Sequence, residues 1–188
     1  MRNVIRLLLS SIRVVIFGLE DGLVSTLGVI TGIAEGTQDR FIIILSGLIV
    51  ILVESLSMAA GTYLSDKSEK EAHFAKRTKL AHYRHHAIHE IDKTNPAKEA
   101  WLMGIFYVFG GSIPVIPYFM FPVKEAIVIS VLATLTTLFL VGVGKGKLTQ
   151  TNPIRSGLEM LTVSFAAAAI GFLVGRASSI VFPNLKMR

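Results

Sequence analysis

The chain contains no cysteine. This absence excludes a disulfide framework, a thiolate zinc site, a cysteine nucleophile and thiol-ligated iron–sulfur clusters. Charged residues are also scarce: they make up 17% of the 188 residues, where soluble proteins carry about a quarter. Apolar residues make up 52%, and the mean hydropathy is +0.60. One soluble core of this length cannot bury so much apolar side chain. The composition therefore predicts a membrane protein and argues against a soluble enzyme, a disordered tail and a repeat solenoid.

Long apolar runs are abundant. A helix needs about 20 apolar residues to cross the hydrocarbon core of a bilayer, and five stretches meet this requirement. They are Val14–Ala34, Phe41–Leu64, Trp101–Phe121, Ala126–Gly144 and Leu158–Ile180. We therefore predict an all-α polytopic membrane protein with five transmembrane helices. A polar insertion, residues 65–100, separates the second helix from the third and divides the chain into residues 1–64, 65–100 and 101–188.

Glycine and proline are placed unevenly along these runs. The segment Gly110–Pro117 contains two glycines and two prolines, which predicts a kink or a break in the third helix. Pairs of glycines four residues apart, such as Gly28 with Gly32 and Gly171 with Gly175, predict close helix packing or dimerisation.

Basic residues indicate the orientation. With five crossings, fourteen of the nineteen Lys and Arg residues share a side with the N-terminus and the insertion. The positive-inside rule then places both in the cytoplasm and the C-terminus outside. The net charge of +6 is thus explained mostly by the basic residues on the cytoplasmic side. Nucleic acid is not an expected partner, because the sequence has no basic stripe interleaved with aromatic residues. A cleavable signal peptide is disfavoured because Glu20 and Asp21 interrupt its apolar region. We expect a multi-pass protein of a prokaryotic plasma membrane, or of the vacuolar membrane in a eukaryote.

Acidic side chains occur inside the predicted spans, where a charge costs at least about 2.5–3.5 kcal/mol. Measured from the cytoplasmic end of each span, Asp21 lies at about 10 Å, Glu54 at about 15 Å and Glu159 at about 8 Å. Glu20 adjoins Asp21, and Met58 shares a helical face with Glu54. Carboxylate oxygens with one thioether suit a borderline divalent ion such as Fe²⁺ or Mn²⁺. These five residues predict a metal site in one layer of the cytoplasmic half of the membrane.

Structural alternatives exist for three of the five. Met58 could serve packing alone, Glu20 could pair with Arg13 at the membrane edge, and Glu159 could be stabilised by the dipole of its own helix. The other two acids have no basic residue within one helical turn. A functional interpretation is therefore favoured for Asp21 and Glu54.

All five histidines lie in the insertion. Residues 68–92 contain neither proline nor glycine, which predicts one or two helices. Imidazole is the commonest transition-metal ligand, and helical spacing places several of these rings on shared faces. The predicted ligands of this cytoplasmic site are His82, His85, His86 and His89, with Glu69 and His73 as a further weak pair. The alternative is a solvated basic helix that rests on anionic lipid headgroups.

Four segments resemble the vacuolar iron transporter family. Gly18–Ala34 (GLEDGLVSTLGVITGIA), Glu54–Glu69 (ESLSMAAGTYLSDKSE) and Gly110–Tyr118 (GGSIPVIPY) carry its motifs, and Arg155–Gly175 resembles its last span. The resemblance covers nearly the whole chain. It implies a five-span homodimer with the translocation path at the subunit interface. It also implies export of a divalent metal from the cytoplasm, coupled to protons that move the other way.

The same resemblance implies roles for individual residues. It maps the family's pathway aspartate onto Asp21 and its pathway methionine onto Met58. Where plant and fungal relatives carry a pathway glutamate, this chain has Val50, and Glu54 is expected to substitute for it one turn away. Those relatives also have a longer cytoplasmic region rich in Glu and Met, whose ligands cannot be carried over to the shorter insertion here.

The resulting hypothesis is a proton-coupled exporter, an antiporter of Fe²⁺ with Mn²⁺ as a second candidate. Its expected partners are the metal ion, protons, membrane lipid and a second copy of the chain, with no cofactor. A membrane-anchored metal sensor and a passive divalent-cation channel remain alternatives. No enzymatic activity is expected, because an intramembrane aspartyl hydrolase would need two aspartates and Asp21 is the one aspartate within a predicted span.

Overall fold

The computed structural model describes the backbone of residues 2–80 and 95–181, and the side chains of residues 11–72 and 95–181. Within these ranges all regular structure is helical, as the composition predicted. The helices are α1 (Arg2–Thr37), α2 (Arg40–Leu80), α3 (Pro96–Val115), α4 (Pro117–Met120), α5 (Val123–Leu148) and α6 (Pro153–Val181).

Side-chain caps begin three of the long helices. The Oδ1 atom of Asp39 accepts hydrogen bonds from the backbone N–H groups of Phe41 and Ile42, at 2.8 and 3.1 Å. Asn95 and Asn152 cap α3 and α6 in the same way. A proline follows each of these two asparagines and suits the first helical position, where its missing N–H has no partner to lose.

Four helical segments are long and apolar enough to cross a membrane, among the residues that the structure describes. They are Ser11–Thr37, Arg40–Ala72, Val123–Leu148 and Pro153–Val181. Large apolar side chains on their surfaces are exposed, as at Leu56 and Phe165, which suits a lipid environment. Four of the five predicted spans coincide with these helices. The predicted third span, Trp101–Phe121, falls on α3 and α4.

The second helix does not end where the polar insertion was predicted to begin. α2 continues past Leu64 as far as Leu80. No proline and no glycine interrupts this extension, and the Nζ atom of Lys67 lies 3.9 Å from Oε1 of Glu71 one turn later. Because nothing stops the helix, the first part of the insertion continues α2 and does not form a helix of its own.

The predicted break in the third span occurs at Ile116, between α3 and α4. Pro114 lies inside α3, and Pro117 begins α4. Each proline lacks an N–H group and so removes the helical donor of the carbonyl four residues earlier, that of Gly110 or Ile113. The carbonyl of Pro114, next to the break, has a donor on another helix. The hydroxyl of Ser130 on α5 donates a hydrogen bond to the carbonyl oxygen of Pro114 at 2.7 Å. A neighbouring helix thus satisfies backbone polarity inside the bundle.

α1 runs parallel to α3 and to α6. Gly18 and Gly22 lie against the backbone of Met103 and Tyr107, so both helices advance in the same direction. On another face of α1, Gly28 lies against Ala167, Gly32 against Gly171 and Gly36 against Gly175. The predicted glycine pairs therefore lie at helix contacts within one chain, where a side chain would overlap the neighbouring backbone.

α2 and α5 run the other way. α2 is antiparallel to α3, and α5 is antiparallel to α6. The contacts that show this are Gly47 with Val115 and Gly104 with Ser55 for the first pair, and Gly142 with Gly157 and Gly146 with Pro153 for the second. α1 contacts α2, α3, α5 and α6 and therefore lies at the centre of the bundle. α1, α3 and α6 run in one direction, and α2 and α5 run in the other.

Candidate metal centre

Glu54 lies at the junction of three helices. Its Oε2 atom accepts a hydrogen bond from the hydroxyl of Ser25 on α1 at 3.0 Å. The same atom accepts a hydrogen bond from the hydroxyl of Tyr107 on α3. The two hydroxyl oxygens are themselves 2.5 Å apart, so one of them can donate to the other in place of Glu54. A carboxylate of α2 is therefore held by α1 and α3 within the bundle.

Asp21 lies one helical turn before Ser25 on α1 and is half-buried. Ser25 contacts Glu54 of α2, and residues four apart on a helix share a face, so Asp21 lies one helical turn from the residue that touches the second acid. The two intramembrane acids are therefore brought together from separate helices. Together with the two hydroxyls they form what we call the carboxylate cluster: Asp21, Ser25, Glu54 and Tyr107.

Met58 and Glu20 flank the cluster. Met58 is half-buried one turn after Glu54 on α2, which places its thioether on the same face. Glu20 is half-buried and precedes Asp21 on α1. Among the described side chains Glu20 and Arg13 form no ion pair, and the charge of Arg13 acts on Asp66 of α2. The alternative prediction, a Glu20–Arg13 ion pair at the membrane edge, is therefore not seen among the described side chains.

Glu159 lies apart from the carboxylate cluster. Its side chain is 64% exposed, and its Oε1 atom is 3.1 Å from Nε of Arg155 one turn earlier on α6. The register between α1 and α6 places it near the depth of Glu20, as the spacing predicted. Within this chain, however, it is paired with an arginine on the bundle surface. Its role as a secondary metal ligand stays a prediction.

The predicted cytoplasmic site cannot be placed from this structure. His82, His85, His86 and His89 lie outside the described residues, and so does the side chain of His73. Glu69 is described and lies exposed on the extension of α2. Within the described ranges no three His, Asp or Glu side chains gather closely enough to hold a metal ion.

A groove with a volume of about 990 Å³ leads away from the cluster. It begins at Val24 and Ser25 and extends along α1 to Asp39, with α6 from Ala167 to Ser179 as its opposite side. The glycines of α1 and α6 form its floor, and most of its surface is apolar. It therefore connects the cluster with the end of α1 that bears the α1–α2 turn.

An ion pair joins α1 and α6 at that far end. The Nη1 atom of Arg176 lies 3.6 Å from Oε1 of Glu35. Both residues adjoin glycines that line the groove, Gly36 and Gly175. The pair thus lies beside one end of the groove, and Ser25 of the carboxylate cluster lines its other end.

The sequence interpretation missed Tyr107. Its ring is fully buried, and its partner Glu54 is 53 residues away in the chain. A tyrosine in an apolar span is unremarkable as a residue type, since the ring is suited to a core. A usable signal is present in its surroundings, because Gly104, Gly110 and Gly111 mark α3 as a helix that other backbones approach closely.

The sequence of this chain is similar to a known protein family and to several known proteins. The sequence model described as the VIT family matches residues 12–86 and 77–176. An uncharacterised protein of Methanocaldococcus jannaschii is 30% identical over 173 residues, which cover 89% of this chain and 90% of that protein. Vacuolar iron transporter 1 of Arabidopsis thaliana is 26% identical over an alignment that covers 88% of this chain and 85% of that protein. Vacuolar iron transporter 1 of Eucalyptus grandis is also 26% identical, with coverage of 88% and 86%. The family resemblance seen in the motifs is confirmed, and this integral membrane protein belongs to the VIT family.

Proposed function

We propose that the protein exports a divalent transition metal, Fe²⁺ with Mn²⁺ as a second candidate, from the cytoplasm in exchange for protons. The observation that carries this proposal is the contact of Glu54 on α2 with Ser25 on α1, one turn from Asp21, at the point where a groove begins. Acidic side chains inside a membrane span are costly, and those that are present usually mark a functional site. Relatives named vacuolar iron transporter match most of the chain, and this supports iron as the transported ion.

The donor set supports a transition metal. The cluster offers carboxylate oxygens from Asp21 and Glu54, and Met58 adds a polarisable sulfur on the adjacent turn. Hard oxygens combined with one soft sulfur suit Fe²⁺ and Mn²⁺ better than Na⁺ or Ca²⁺. These residues of one chain supply fewer ligands than a permanently bound ion would need. A small ligand set suits a transported ion, because the ion must leave the site again. Water or a second copy of the chain would complete the coordination.

Exchange for protons has a direct chemical basis. A carboxylate binds a metal ion only after it has lost its proton, so metal and proton compete for the same oxygens. A proton that arrives from the acidic side would release the metal, and the protonated acids could then return to face the cytoplasm. Asp21 and Glu54 would serve both ions in turn.

A fifth crossing follows from the helix directions. α2 and α5 both run antiparallel to α1, and both are long enough to span a membrane. Two successive crossings in one direction require a return crossing between them. α3 and α4 run the opposite way over residues 96–120, and we propose that they form this third span. The count is then five, with the N-terminus in the cytoplasm and the C-terminus outside.

We further propose that the chain works as a homodimer and that the groove faces the second copy. The groove between α1 and α6 is largely apolar, and an apolar groove with a glycine floor suits close helix packing in lipid. The path for the ion would then run between the two copies, from the carboxylate cluster to the outer end of α1. The histidines of the insertion would gather metal at the cytoplasmic entrance.

Transport in proteoliposomes tests the proposal. The purified protein is reconstituted, and Fe²⁺ movement is followed under anaerobic conditions with an acidic compartment on the receiving side. We expect uphill metal movement driven by the pH gradient, and its loss in Asp21→Asn and Met58→Ala. Matched controls are Glu125→Gln, an exposed acid at the start of α5, and Met120→Ala, an exposed methionine of α4.

The alternatives predict different results. A passive channel would equilibrate the metal but would not move it uphill under a pH gradient. A membrane-anchored sensor would move no metal at all. If Asp21→Asn and Met58→Ala both transport iron like the unaltered protein, the assignment of the site is wrong.

A further inference from the structure

We propose that Tyr107, assisted by Ser25, restricts Glu54 to a single free carboxylate oxygen and thereby makes the site discriminate against Ca²⁺. This inference rests on the proposed transport function and assigns a specificity role to a residue that would not itself bind the ion. Tyr107 is thus a positioning residue for the metal site.

The geometry of the hydrogen bonds carries the proposal. The hydroxyls of Ser25 and Tyr107 both lie within hydrogen-bonding distance of the same oxygen of Glu54, Oε2, and of each other. Each hydroxyl has one hydrogen to donate. At least one of the two therefore donates to Oε2, and the other donates either to Oε2 or to the neighbouring hydroxyl, so that Oε2 is the oxygen engaged by this pair. Among the residues that the structure describes, no side chain donates to Oε1. Glu54 would therefore offer an ion one oxygen and bind it in a monodentate manner.

The position of Tyr107 is fixed by its surroundings. Its side chain is fully buried, and the backbone around it packs against Gly18 and Gly22 of α1. A Cβ atom added to Gly18 would lie 2.8 Å from the carbonyl oxygen of Met103, one turn before Tyr107. α3 is thus packed backbone against backbone on α1 beside Tyr107, and the hydroxyl of Tyr107 lies against Glu54.

The difference between ions follows from their coordination. Ca²⁺ takes six to eight oxygen ligands, and bidentate carboxylates commonly provide part of them. Transition ions such as Mn²⁺ and Fe²⁺ need fewer hard oxygens and accept a thioether. A site with one oxygen from Glu54, the carboxylate of Asp21 and the sulfur of Met58 is poor for Ca²⁺. Release of Oε2 would improve it for Ca²⁺ more than for Mn²⁺.

The test is competition between the two ions in proteoliposomes. Mn²⁺ uptake is measured while Ca²⁺ is added, and the half-inhibitory Ca²⁺ concentration is divided by the KM for Mn²⁺ of the same variant. We expect Tyr107→Phe to lower this ratio by about threefold or more, since an added carboxylate oxygen strengthens Ca²⁺ binding. Ser25→Ala should shift it in the same direction.

Tyr118→Phe is the matched control. Tyr118 is also a fully buried tyrosine, and its hydroxyl has no hydrogen-bond partner among the described residues. Tyr118→Phe removes the same hydroxyl group as Tyr107→Phe, from the same residue type, but leaves the contacts of Glu54 unchanged. The ratio should therefore equal that of the unaltered protein.

The outcomes separate the two proposals. If the unaltered protein moves no divalent metal, the proposed function fails. If it does transport, and Tyr107→Phe keeps the unaltered ratio, the specificity role of Tyr107 is overturned while the transport function stands. Should Tyr107→Phe fail to fold, Ser25→Ala decides alone: a lowered ratio supports the restriction of Glu54, and an unchanged ratio overturns it.

Discussion

Gly32 of α1 and Gly171 of α6 lie backbone against backbone: a Cβ atom on Gly32 would be 2.8 Å from the carbonyl oxygen of Gly171. This contact brings two parallel helices together along the floor of the groove. Ser25 and Asp21 lie about two and three helical turns before Gly32 on α1, so a displacement of α1 at this contact is expected to move both residues. The spacing of α1 and α6 is therefore part of the site.

Enlargement of Gly171 is expected to separate these helices. Gly171→Leu should destabilise the fold by about 1–3 kcal/mol, the usual cost of overpacking. It should also slow metal transport, because α1 moves. Thermal unfolding in detergent and transport in proteoliposomes measure the two effects.

Gly61→Ala is the control for this variant. Nothing lies within 4 Å of a Cβ added to Gly61, and alanine favours a helix over glycine. Its stability should be unchanged or slightly higher. A fully stable Gly171→Leu would contradict the close contact between α1 and α6.

The loss of metal transport on replacement of each acid should depend on where that acid lies in the structure. Asp21→Asn and Glu54→Gln are each expected to reduce transport at least about tenfold, which corresponds to about 1.4 kcal/mol in the rate-limiting barrier. Glu159→Gln should reduce it less, since that side chain is 64% exposed and paired with Arg155. Initial rates of Fe²⁺ movement at matched protein density give the ranking.

Glu125→Gln serves here as the control for loss of one exposed negative charge. A larger effect for Glu159→Gln than for Glu54→Gln would mean that the surface of α6, and not the junction of three helices, holds the ion.

The ion pair between Glu35 and Arg176 should contribute little to stability. Its members are 21% and 61% exposed, and pairs of this kind are worth about 0.2–1 kcal/mol. We therefore expect Glu35→Gln and Arg176→Gln to change the unfolding temperature only slightly. A double-mutant cycle on thermal stability measures the interaction directly.

Charge exchange provides the check on this pair. Glu35→Arg combined with Arg176→Glu should restore the interaction that either single reversal removes. Restoration of neither stability nor transport would show that the two side chains do not pair in the membrane.

The histidines of the insertion should affect the entry of metal and not its passage. Replacement of His82, His85, His86 and His89 by alanine leaves the carboxylate cluster unchanged. We expect a higher KM for Fe²⁺ with the maximal rate retained. Metal titration of the altered protein, together with transport, checks both quantities.

Replacement of four lysines or arginines of the same insertion by glutamine is the control for its surface charge. Complete loss of transport in the histidine variant would favour a protein whose main function is metal binding by the insertion.

Several features were predictable from residue order because they depend on local patterns. Apolar runs of sufficient length indicated the helices, and four of them are confirmed as long apolar segments. The Gly- and Pro-rich segment indicated the break at Ile116. The end of α2 was not predictable from polarity, because a polar sequence without proline or glycine continues a helix as readily as an apolar one.

The sequence by itself determined the helical class, the presence of Asp21 and Glu54 within apolar segments, and the family motifs, since all of these depend on neighbours along the chain. Only the tertiary structure decided which side chains meet. The rotation of α2 and α3 about their axes joins Glu54 to Tyr107 across 53 residues, while Glu159 remains on the surface with Arg155. Such contacts depend on how helices pack side by side, and packing is set by the close approach of glycines on several helices at once.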